Sequence, residues 1–426
     1  TLTEFFNALK ERENPADPYM IIKGEFRSGR SNVFEPGSIS SRMYLKQANF
    51  NSTRKLCYLA DPIVAWRAID KTSWDPQGLV KLKPFIDLAW KYLLQNQPHD
   101  SMCGCSIDPV HRDMENRFAQ CNYIADEIIQ EQLELFLIRQ REIPKDAQVA
   151  GAIPVVIFCP HPTKLAYQIK TWVSQSRNHY ETDIIFAPDA DLEVSYDVLL
   201  PSGDKVSAYT QKARYKGAHT MLKVSWLANF DGFGFYLFFL IPKKKDALLL
   251  KPEPIVTNSY ENSWCMVKFS SNGSFDLTDK RSGLVYRNLH YLEDQADGGD
   301  GYDFYAIPGD KPITTLQGSA KILGEKTPFG AIFKIQYIIT LPASLSEDRV
   351  KRSEITIPQI VRSKIRIMDH TPTIEISTKL ENQIKDHRLR AVFPTPLKSD
   401  KVAAGSIFDV VERGIEIGRA SCRERV

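Results

Sequence analysis

The hydrophobic pattern of this 426-residue chain changes character about a third of the way along. Up to Arg141 the apolar residues recur at helical spacing, whereas from about Gln148 they fall into short runs separated by turn residues. A helix buries a stripe and a strand buries one face, so the two parts need different packing partners. The change predicts an α+β multi-domain protein, with a three-helix bundle followed by all-β sandwich domains.

The segment after Asp108 carries the clearest helical pattern. Asp108 can cap a helix, and Pro109 suits its first position, where the missing amide hydrogen is not needed. The apolar residues behind them recur at the α-helical period of about 3.6 residues. This stripe consists of Val110, Met114, Phe118, Cys121, Ala125 and Ile128. We expect a long helix that buries it.

Three further helices are predicted before this one. The segment from Thr1 to Glu4 has the capping-box pattern, with apolar residues at helical spacing behind it. A second helix is expected at about 40–59, ending before Pro62. A third is expected at 84–97, with Pro84 in its first turn. The three long helices after the first predict an antiparallel bundle.

Short strands are predicted in the rest of the chain. The runs Ile153 to Cys159 and Phe235 to Ile241 are apolar and of strand length. The clearest hairpin joins Trp264 to Phe269 with Ser274 to Thr278 through a turn at Asn272-Gly273. Many such strands with few helical stripes between them favour β-sandwich architecture.

Charge and composition narrow the possible partners. Lysine and arginine number 55 against 52 aspartate and glutamate residues, a net charge of +3, so we expect no nucleic-acid partner. No stretch reaches the roughly 18 apolar residues of a membrane span, so we expect no membrane association. The seven cysteines are an odd and modest number, which favours a reducing compartment.

The densest cluster of reactive side chains lies just before the fourth predicted helix. His99, Cys103, Cys105 and His111 are the residue types of a structural zinc site. The spacing argues against such a site, because Cys-x-Cys is tighter than the usual clip and His111 lies inside a regular helix. On residue chemistry alone, the simpler interpretation is that His99 ends a helix, Asp100 caps a turn, and the cysteines pack in a crowded loop.

The run from His99 to Ser106, with Asp108, Val110-His111 and Arg117 after it, closely resembles the bacterial branch of glycoside hydrolase family 38, the α-mannosidases. That branch includes the mannosylglycerate hydrolases. Further segments keep the family's order, and the resemblance extends from Thr1 to about Ile415. These segments are 1–6, 24–27, 40–43, 272–274, 277–280, 286–288 and 297–304.

The resemblance implies a zinc-dependent retaining α-mannosidase that acts on terminal α-mannosides, with mannosylglycerate or its phosphorylated form as candidates. In such enzymes one aspartate attacks the anomeric carbon, a second acidic residue serves as acid and then base, and Zn2+ contacts the 2- and 3-hydroxyls of the sugar. Carried over to this sequence, His99 is implied as one zinc ligand. Asp100 is implied as a carboxylate that accepts hydrogen bonds from the mannose hydroxyls, and Tyr302 as a tyrosine that reaches the sugar. The likeness to the bacterial branch favours a cytoplasmic enzyme whose partner is a mannose-containing carbohydrate.

The nucleophile, the acid/base residue and the family's His-x-Asp zinc pair are not expected in this chain. Its one His-x-Asp spacing, His111-Arg112-Asp113, lies on the fourth predicted helix, where residues two apart do not face each other. The catalytic residues are therefore expected on a barrel that precedes Thr1, and this C-terminal fragment is expected to be inactive by itself. It would expose the apolar surface that packs on the barrel, so low solubility or a homo-oligomer is expected.

Five segments follow from the pattern and the resemblance. They are 1–35, the end of the barrel domain and a linker; 36–145, the three-helix bundle; 146–250, a β-sandwich domain; 251–415, a large and truncated β-sandwich domain; and 416–426. The last of them reads EIGRASCRERV and resembles the translation of a DNA-sequencing adapter, so we expect an assembly artefact there.

Two other interpretations stay open. One is a non-catalytic carbohydrate-binding or assembly module made of the bundle and the sandwiches. The other is a zinc enzyme or sensor complete in this chain and centred on His99, Cys103 and Cys105. Metal content distinguishes the latter, because its zinc would be stoichiometric and lost when either cysteine is replaced by serine.

Overall fold

The computed structural model describes residues 1–12, 36–69, 76–138, 143–174, 184–186, 194–215, 219–243, 252–406 and 409–414. The chain divides into two compact units, one of residues 1–35 with 396–426 and one of residues 36–395. Segment 24–27, one of those that resemble the family, and the adapter-like tail 416–426 lie outside the described residues.

The first unit begins with helix α1 (Leu2–Arg12). The Glu4 amide donates a hydrogen bond to the Thr1 hydroxyl at 3.3 Å. In return, the Glu4 carboxylate pairs with the amino group of Thr1 at 2.6 Å. The predicted capping box is therefore confirmed, and it satisfies the Glu4 amide, which the first turn of a helix would otherwise leave unpaired.

The second unit starts with helices that share one core. The longer ones are α2 (Met43–Lys55), α3 (Asp61–Ile69), α4 (Pro76–Leu94) and α6 (Asp108–Ile138), and the single-turn α5 (His99–Met102) lies between the last two. The predicted stripe of α6 is buried from Met114 to Ile128, and Val110 at its start is half-buried. It packs against Leu45 of α2, Ile63 of α3 and Leu93 of α4.

The helix end predicted before Pro62 is wrong. The chain continues from α2 through a π turn at Leu56–Ala60 directly into α3. The Asp61 amide donates to the Leu56 carbonyl, five residues back, so the hydrogen-bond ladder shifts register just before the residue that lacks an amide hydrogen. The buried side chains of Ala60 and Ile63 keep both sides of the turn on the core.

The start predicted for the next helix is wrong as well. Helix α4 begins at Pro76, eight residues before Pro84, which lies inside the helix. An internal proline removes one hydrogen bond and strains the preceding turn. Leu82 and Ile86, one on each side of Pro84, are buried in the core of the bundle. Tertiary packing therefore outweighs the local signal.

A small sandwich follows the bundle, with its core between two four-stranded sheets. Its strands are β1 (Ile153–Cys159), β2 (Leu165–Ser174), β3 (Ile184–Phe186), β4 (Tyr196–Leu199), β5 (Lys205–Ser207), β6 (Tyr209–Tyr215), β7 (His219–Phe230) and β8 (Gly234–Pro242). The sheet orders are β1-β8-β4-β5 and β3-β2-β7-β6. Trp226 of one sheet contacts Phe238 of the other, with ring centroids 5.6 Å apart. Both predicted apolar strands are confirmed, as β1 and β8.

A large sandwich comes next. Its strands are β9 (Glu253–Ile255), β10 (Ser259–Glu261), β11 (Cys265–Phe269), β12 (Phe275–Asp279), β13 (Val285–Leu289), β14 (Tyr291–Ala296), β15 (Ile313–Thr314), β16 (Ala320–Thr327), β17 (Gly330–Pro342), β18 (Thr356–Met368), β19 (Ile374–Leu380) and β20 (His387–Val392). The sheet orders are β10-β11-β12-β13, β15-β14-β20 and β19-β18-β17-β16-β9. Phe269 packs on Phe333 across the core, with ring centroids 4.3 Å apart.

The predicted hairpin is confirmed as β11 and β12, which pair from Cys265 with Asp279 to Phe269 with Phe275. A second hairpin, β21 (Lys401–Ser406) with β22 (Asp409–Gly414), belongs to the first unit. None of the helices in the described ranges combines the length and the apolar character that crossing a bilayer requires. The α+β class and the change from helices to strands are as predicted.

Aromatic rings join the bundle to the small sandwich. Phe136 of α6 stacks on Phe235 of β8, with ring centroids 4.7 Å apart. Trp66 of α3 contacts Phe233 at 5.6 Å, and Phe158 of β1 contacts Phe235 at 5.0 Å. Aromatic contacts of this kind bury a large apolar area, so the bundle is held against the sandwich that follows it.

We expect Gly273→Ala to lower the free energy of unfolding by more than Gly283→Ala. Both glycines have positive φ, at 86° and 72°, so both substitutions carry a backbone cost of about 1–2 kcal/mol. At Gly273 the new Cβ would also lie 2.5 Å from Tyr337 Cε1, whereas at Gly283 no heavy atom lies within 4 Å. Overpacking adds about 1–3 kcal/mol. Urea denaturation of both variants measures the difference, and equal losses would contradict the predicted clash.

Candidate functional site

His99 and Asp100 open the single-turn helix α5. Pro98 before them is extended, at φ −49° and ψ 137°, and its carbonyl accepts the amides of Ser101 and Met102 at 3.0 Å each. The proline thus separates α4 from the next turn and sets the direction in which the pair leaves the bundle. His99 Nε2 lies 3.0 Å from Asp100 Oδ1, and the two side chains are 90% and 83% exposed. An imidazole and a carboxylate are therefore presented together at the surface of the second unit.

The loop after α5 is clamped to the start of α2 through its backbone carbonyls. The Gly104 carbonyl accepts hydrogen bonds from Ser41 Oγ at 3.3 Å and from Arg42 Nε at 3.0 Å. Lys46 Nζ donates to the Cys103 carbonyl at 2.9 Å. Arg42 also pairs with Asp108 at 2.8 Å, on the far side of the loop. The three side chains hold the segment between His99-Asp100 and α6 in one conformation.

Gly104 is the residue that permits this clamp. Its φ is +77°, and a Cβ there would lie 3.0 Å from the Ser41 carbonyl oxygen and 3.2 Å from Arg42 Cβ. A larger residue would therefore meet both the left-handed backbone penalty and the clamp itself. Ser106 closes the loop from the other side, since its hydroxyl donates to the Asp100 carbonyl at 2.6 Å.

Tyr302 lies on a turn of the large sandwich that is built by aspartate side chains. Asp300 Oδ1 accepts the amides of Tyr302 at 2.8 Å and Asp303 at 3.1 Å, and these two hydrogen bonds lower the pKa of Asp300. Asp297 Oδ1 accepts the amide of Tyr305 at 3.0 Å. A Cβ on Gly299 would lie 1.8 Å from the Asp303 carbonyl oxygen, so this turn requires glycine there. Tyr302 itself is 41% exposed.

These two loops meet although 196 residues separate their contacting members. The Cys105 thiol donates to the Gly301 carbonyl at 3.6 Å. A Cβ on Gly301 would lie 3.7 Å from Ser41 Oγ and 3.9 Å from Cys105 Cβ, which is ordinary contact distance. The structure therefore brings the turn that carries Tyr302 against the loop that follows His99 and Asp100. Sequence reasoning named those residues and missed the residues that join them.

A buried ion-pair network anchors the Tyr302 turn from behind. The Arg352 guanidinium contacts the fully buried Asp294 at 2.5 Å and Asp310 at 2.7 Å. His387 Nδ1 contacts the second oxygen of Asp294 at 2.5 Å. Burial opposes ionisation of Asp310, but the hydrogen bonds from Arg352 and from the Ala296 amide outweigh it and lower its pKa. The network fixes both ends of the segment from β14 to Asp310.

Arg349 supports the same turn nearer its tip. One guanidinium nitrogen donates to the carbonyls of Gly298 at 3.3 Å and Gly299 at 3.1 Å, and another pairs with Asp386 at 3.2 Å. Neither arginine stands out in the sequence, because its partners lie on distant segments.

The four-ligand zinc site that the sequence left open is not formed. His111 lies on α6 and is only 1% exposed, whereas His99 is exposed on the neighbouring loop. Burial, with a smaller effect from Arg42, lowers the pKa of His111, so its ring is neutral and packed in the bundle. Within the described ranges, no three His, Cys, Asp or Glu side chains come close enough together to hold a metal ion. The site centred on His99, Cys103 and Cys105 is therefore wrong for these residues.

We expect Arg352→Met to lower the free energy of unfolding by roughly 3–5 kcal/mol, because the carboxylates of Asp294 and Asp310 both lose their arginine and Asp294 is left with His387. Arg287→Met is the matched control: Arg287 is 71% exposed and pairs with Asp276, so its loss should cost less than about 1 kcal/mol. Chemical denaturation followed by tryptophan fluorescence compares the two. A loss at Arg352 no larger than that of the control would contradict an anchoring role.

Comparison with known proteins gives a consistent result. Residues 36–136 match the family described as the alpha mannosidase middle domain. A Halalkalibacterium halodurans protein named "Putative mannosylglycerate hydrolase" is 26% identical, over 92% of this chain and 47% of its own length. Two solved structures from Enterococcus faecalis, an alpha-mannosidase of strain V583 and a protein in glycosyl hydrolase family 38, have TM-scores of 0.75 and 0.73. Each is 26% identical, and the match covers 97% of this chain and 50% of the solved chain. The chain spans about half the length of the relatives that it matches.

Proposed function

We propose that this chain, which is similar to α-mannosidases of glycoside hydrolase family 38, carries one side of the substrate site of a zinc-dependent retaining α-mannosidase. The observation that supports this most directly is the contact between Cys105 and Gly301. It places an imidazole, a carboxylate and a tyrosine from two domains on adjoining loops. Those are the residue types that can bind a metal ion and the hydroxyls of a sugar.

Each of the three side chains has a defined task in this proposal. The His99 imidazole is one ligand of a zinc ion, for which its exposed ring nitrogen is accessible. Asp100, 3.0 Å from that ring, orients it and accepts hydrogen bonds from vicinal hydroxyls of the mannose ring. Tyr302 donates its phenolic hydrogen to the same sugar or packs against its face.

The residues of this chain fit a zinc ion only in part. A single imidazole nitrogen is one of the three or four protein ligands that zinc sites require, so the others must come from residues outside this chain. When bound, zinc would hold the 2- and 3-hydroxyls of the sugar and stabilise charge in the transition state. We propose that the nucleophile and the acid/base residue likewise lie outside the chain, which alone would not hydrolyse substrate.

The fixed backbone of the two loops suits such a role. The clamp by Ser41, Arg42 and Lys46 sets the position of the segment after Asp100, and Arg349 sets that of the turn before Tyr302. Side chains that bind a transition state must be held before the substrate arrives, because any ordering on binding reduces the affinity. Loops held on two domains provide this ordering in advance.

The substrate that we propose to test first is mannosylglycerate, on the strength of the name of the H. halodurans relative. Its phosphorylated form and other terminal α-mannosides come next. We also propose a cytoplasmic location, supported by the modest and odd number of cysteines in the sequence. The domain bounds that we propose are 36–145 for the bundle, 146–250 for the small sandwich and 251–415 for the large sandwich.

A non-catalytic carbohydrate-binding module is the alternative. The exposed rings of Tyr302 and Tyr305, on one turn of the large sandwich, favour it because aromatic side chains at a surface can stack on sugars. The two functions differ in their dependence on His99. A module that binds sugar through tyrosines does not need an imidazole, whereas the proposed enzyme does.

The test is the complete enzyme that contains this chain, assayed with an aryl α-mannoside and with mannosylglycerate. We expect His99→Ala to lower kcat/KM by more than the roughly 10–100-fold that loss of an outer-shell partner costs, with loss of bound zinc measured by mass spectrometry. Asp100→Asn removes a charged acceptor and should lower kcat/KM about 10–100-fold. Tyr302→Phe removes a neutral hydrogen bond, worth about 2–10-fold.

Two substitutions serve as controls. His161→Ala removes another exposed histidine, and Tyr305→Phe removes a hydroxyl from the same turn as Tyr302. Both should keep activity and zinc content. Full activity and full zinc content in His99→Ala would contradict the proposed mannosidase site. Sugar binding that depends on the tyrosines but not on His99 would favour the carbohydrate-binding module.

A further inference from the structure

Two thiols separated by a single residue lie on the loop after α5. Cys103 and Cys105 are both partly exposed, and the chain bends at Gly104 between them, where φ is +77°. Two residues of chain span at most about 7 Å when fully extended, and a bend shortens that span. Disulfides join Cα atoms that lie roughly 4.4–6.8 Å apart. The bend therefore keeps the two cysteines within reach of a disulfide.

A single ammonium group lies beside both thiols. Lys46 Nζ donates to the Cys103 carbonyl at 2.9 Å and also to the Ser41 carbonyl. Burial lowers the pKa of Lys46, and the charges of Cys103 and Cys105 act on the same group in the opposite direction. A cation beside a thiol is the setting in which protein cysteines act as nucleophiles. The loop thus combines a dithiol with a cation that hydrogen bonds hold in place.

The other cysteines that the structure describes are poorer nucleophiles. Cys121, Cys159 and Cys265 are buried, and burial raises the pKa of Cys121 to about 11. Cys57 is exposed, but partial desolvation and then the carboxylate of Asp61 raise the pKa of its thiol. Cys57 therefore provides a matched control, as an exposed thiol beside an anion.

The thiol hydrogen of Cys105 also has a structural task. It is donated to the Gly301 carbonyl at 3.6 Å, which joins this loop to the Tyr302 turn of the large sandwich. A disulfide sulfur carries no hydrogen, so oxidation of Cys105 removes the donor. The oxidation state of the pair is thereby coupled to a contact between two domains.

We propose that Cys103 and Cys105 form a redox-sensitive dithiol, which a low-molecular-weight disulfide oxidises to an intramolecular disulfide that releases the loop from Gly301. The Cys103 thiolate attacks one sulfur of the small disulfide, forming a mixed disulfide and expelling one small thiolate. The Cys105 thiolate then attacks the Cys103 sulfur and expels the second small thiolate. The protein loses two electrons and two protons, and the small disulfide becomes two thiols. Because the second step is intramolecular, it is favoured over attack on another small disulfide.

The reduced pair is the resting state in a reducing compartment, where protein disulfides are transient or sense the redox state. Oxidation would then loosen the Tyr302 turn from the loop that follows His99 and Asp100. An effect of that separation on sugar binding rests on the function proposed above. The thiol chemistry does not rest on it, and it can be measured without any assay of hydrolysis.

Exposure of the purified chain to mixtures of reduced and oxidised glutathione, at about pH 8, tests the proposal. Trypsin releases residues 92–112, which contain these two cysteines and no other, so mass spectrometry reports the hydrogens that the pair loses. We expect the wild type and the control Cys57→Ser to lose two hydrogens from this peptide. Cys103→Ser and Cys105→Ser should instead stop at a mixed disulfide between glutathione and the remaining thiol.

Hydrogen exchange measures the coupling to the large sandwich. Oxidation of the wild type should speed amide exchange in residues 298–305 about twofold or more, as the loss of a weak hydrogen bond would. The double variant Cys103→Ser/Cys105→Ser keeps a hydroxyl donor at position 105 and has no thiol in the loop, so the same oxidant should leave its exchange unchanged. A wild-type peptide that carries only glutathione adducts, or that stays reduced where the urea-unfolded chain is oxidised, would overturn the dithiol. A disulfide that forms without faster exchange would overturn its coupling to Gly301.

Discussion

The contact between the Cys105 thiol and the Gly301 carbonyl joins the bundle to the large sandwich, so that each of the three domains contacts the other two. The bundle touches the small sandwich through Phe136 and Phe235, the small sandwich touches the large one through Gln168 and Arg366, and Cys105 returns to the bundle. A thiol donor at 3.6 Å is weak by itself. Its importance is geometric, because the other two interfaces must both be in place before the two loops can meet. The proposed site therefore depends on how three domains pack and not on one strong interaction.

The sequence predicts those parts of the fold whose signals are local. The stripe on α6, the capping box at Thr1 and the hairpin of β11 and β12 each need only a few neighbouring residues to be recognised. The helix boundaries at Pro62 and Pro84 were wrong because a π turn and the buried neighbours Leu82 and Ile86 outweigh the local preference of proline. Both of those effects come from tertiary packing, which a single sequence does not display.

In the candidate site too, some residues could be predicted from the sequence and others could not. Resemblance to a family could indicate His99, Asp100 and Tyr302, because motif residues are contiguous or nearly so. The residues that hold them could not be found from the sequence: Arg42 contacts a loop 62 residues away, and Arg352 reaches Asp294 across 58. Arginine is common on surfaces, and only the burial of its partners reveals its role.

The sequence distance between the two loops also sets an order of events during synthesis. Gly301 leaves the ribosome 196 residues after Cys105, which at usual rates of elongation is a delay of roughly 10 to 40 s. Throughout that interval the bundle can fold, but the turn that carries Tyr302 has not yet been synthesised. Sugar recognition as proposed would thus be acquired late in translation, after the last strands that anchor the turn have emerged. A ribosome-bound chain halted within the small sandwich would hold the His99 loop in place and still lack half of its binding surface.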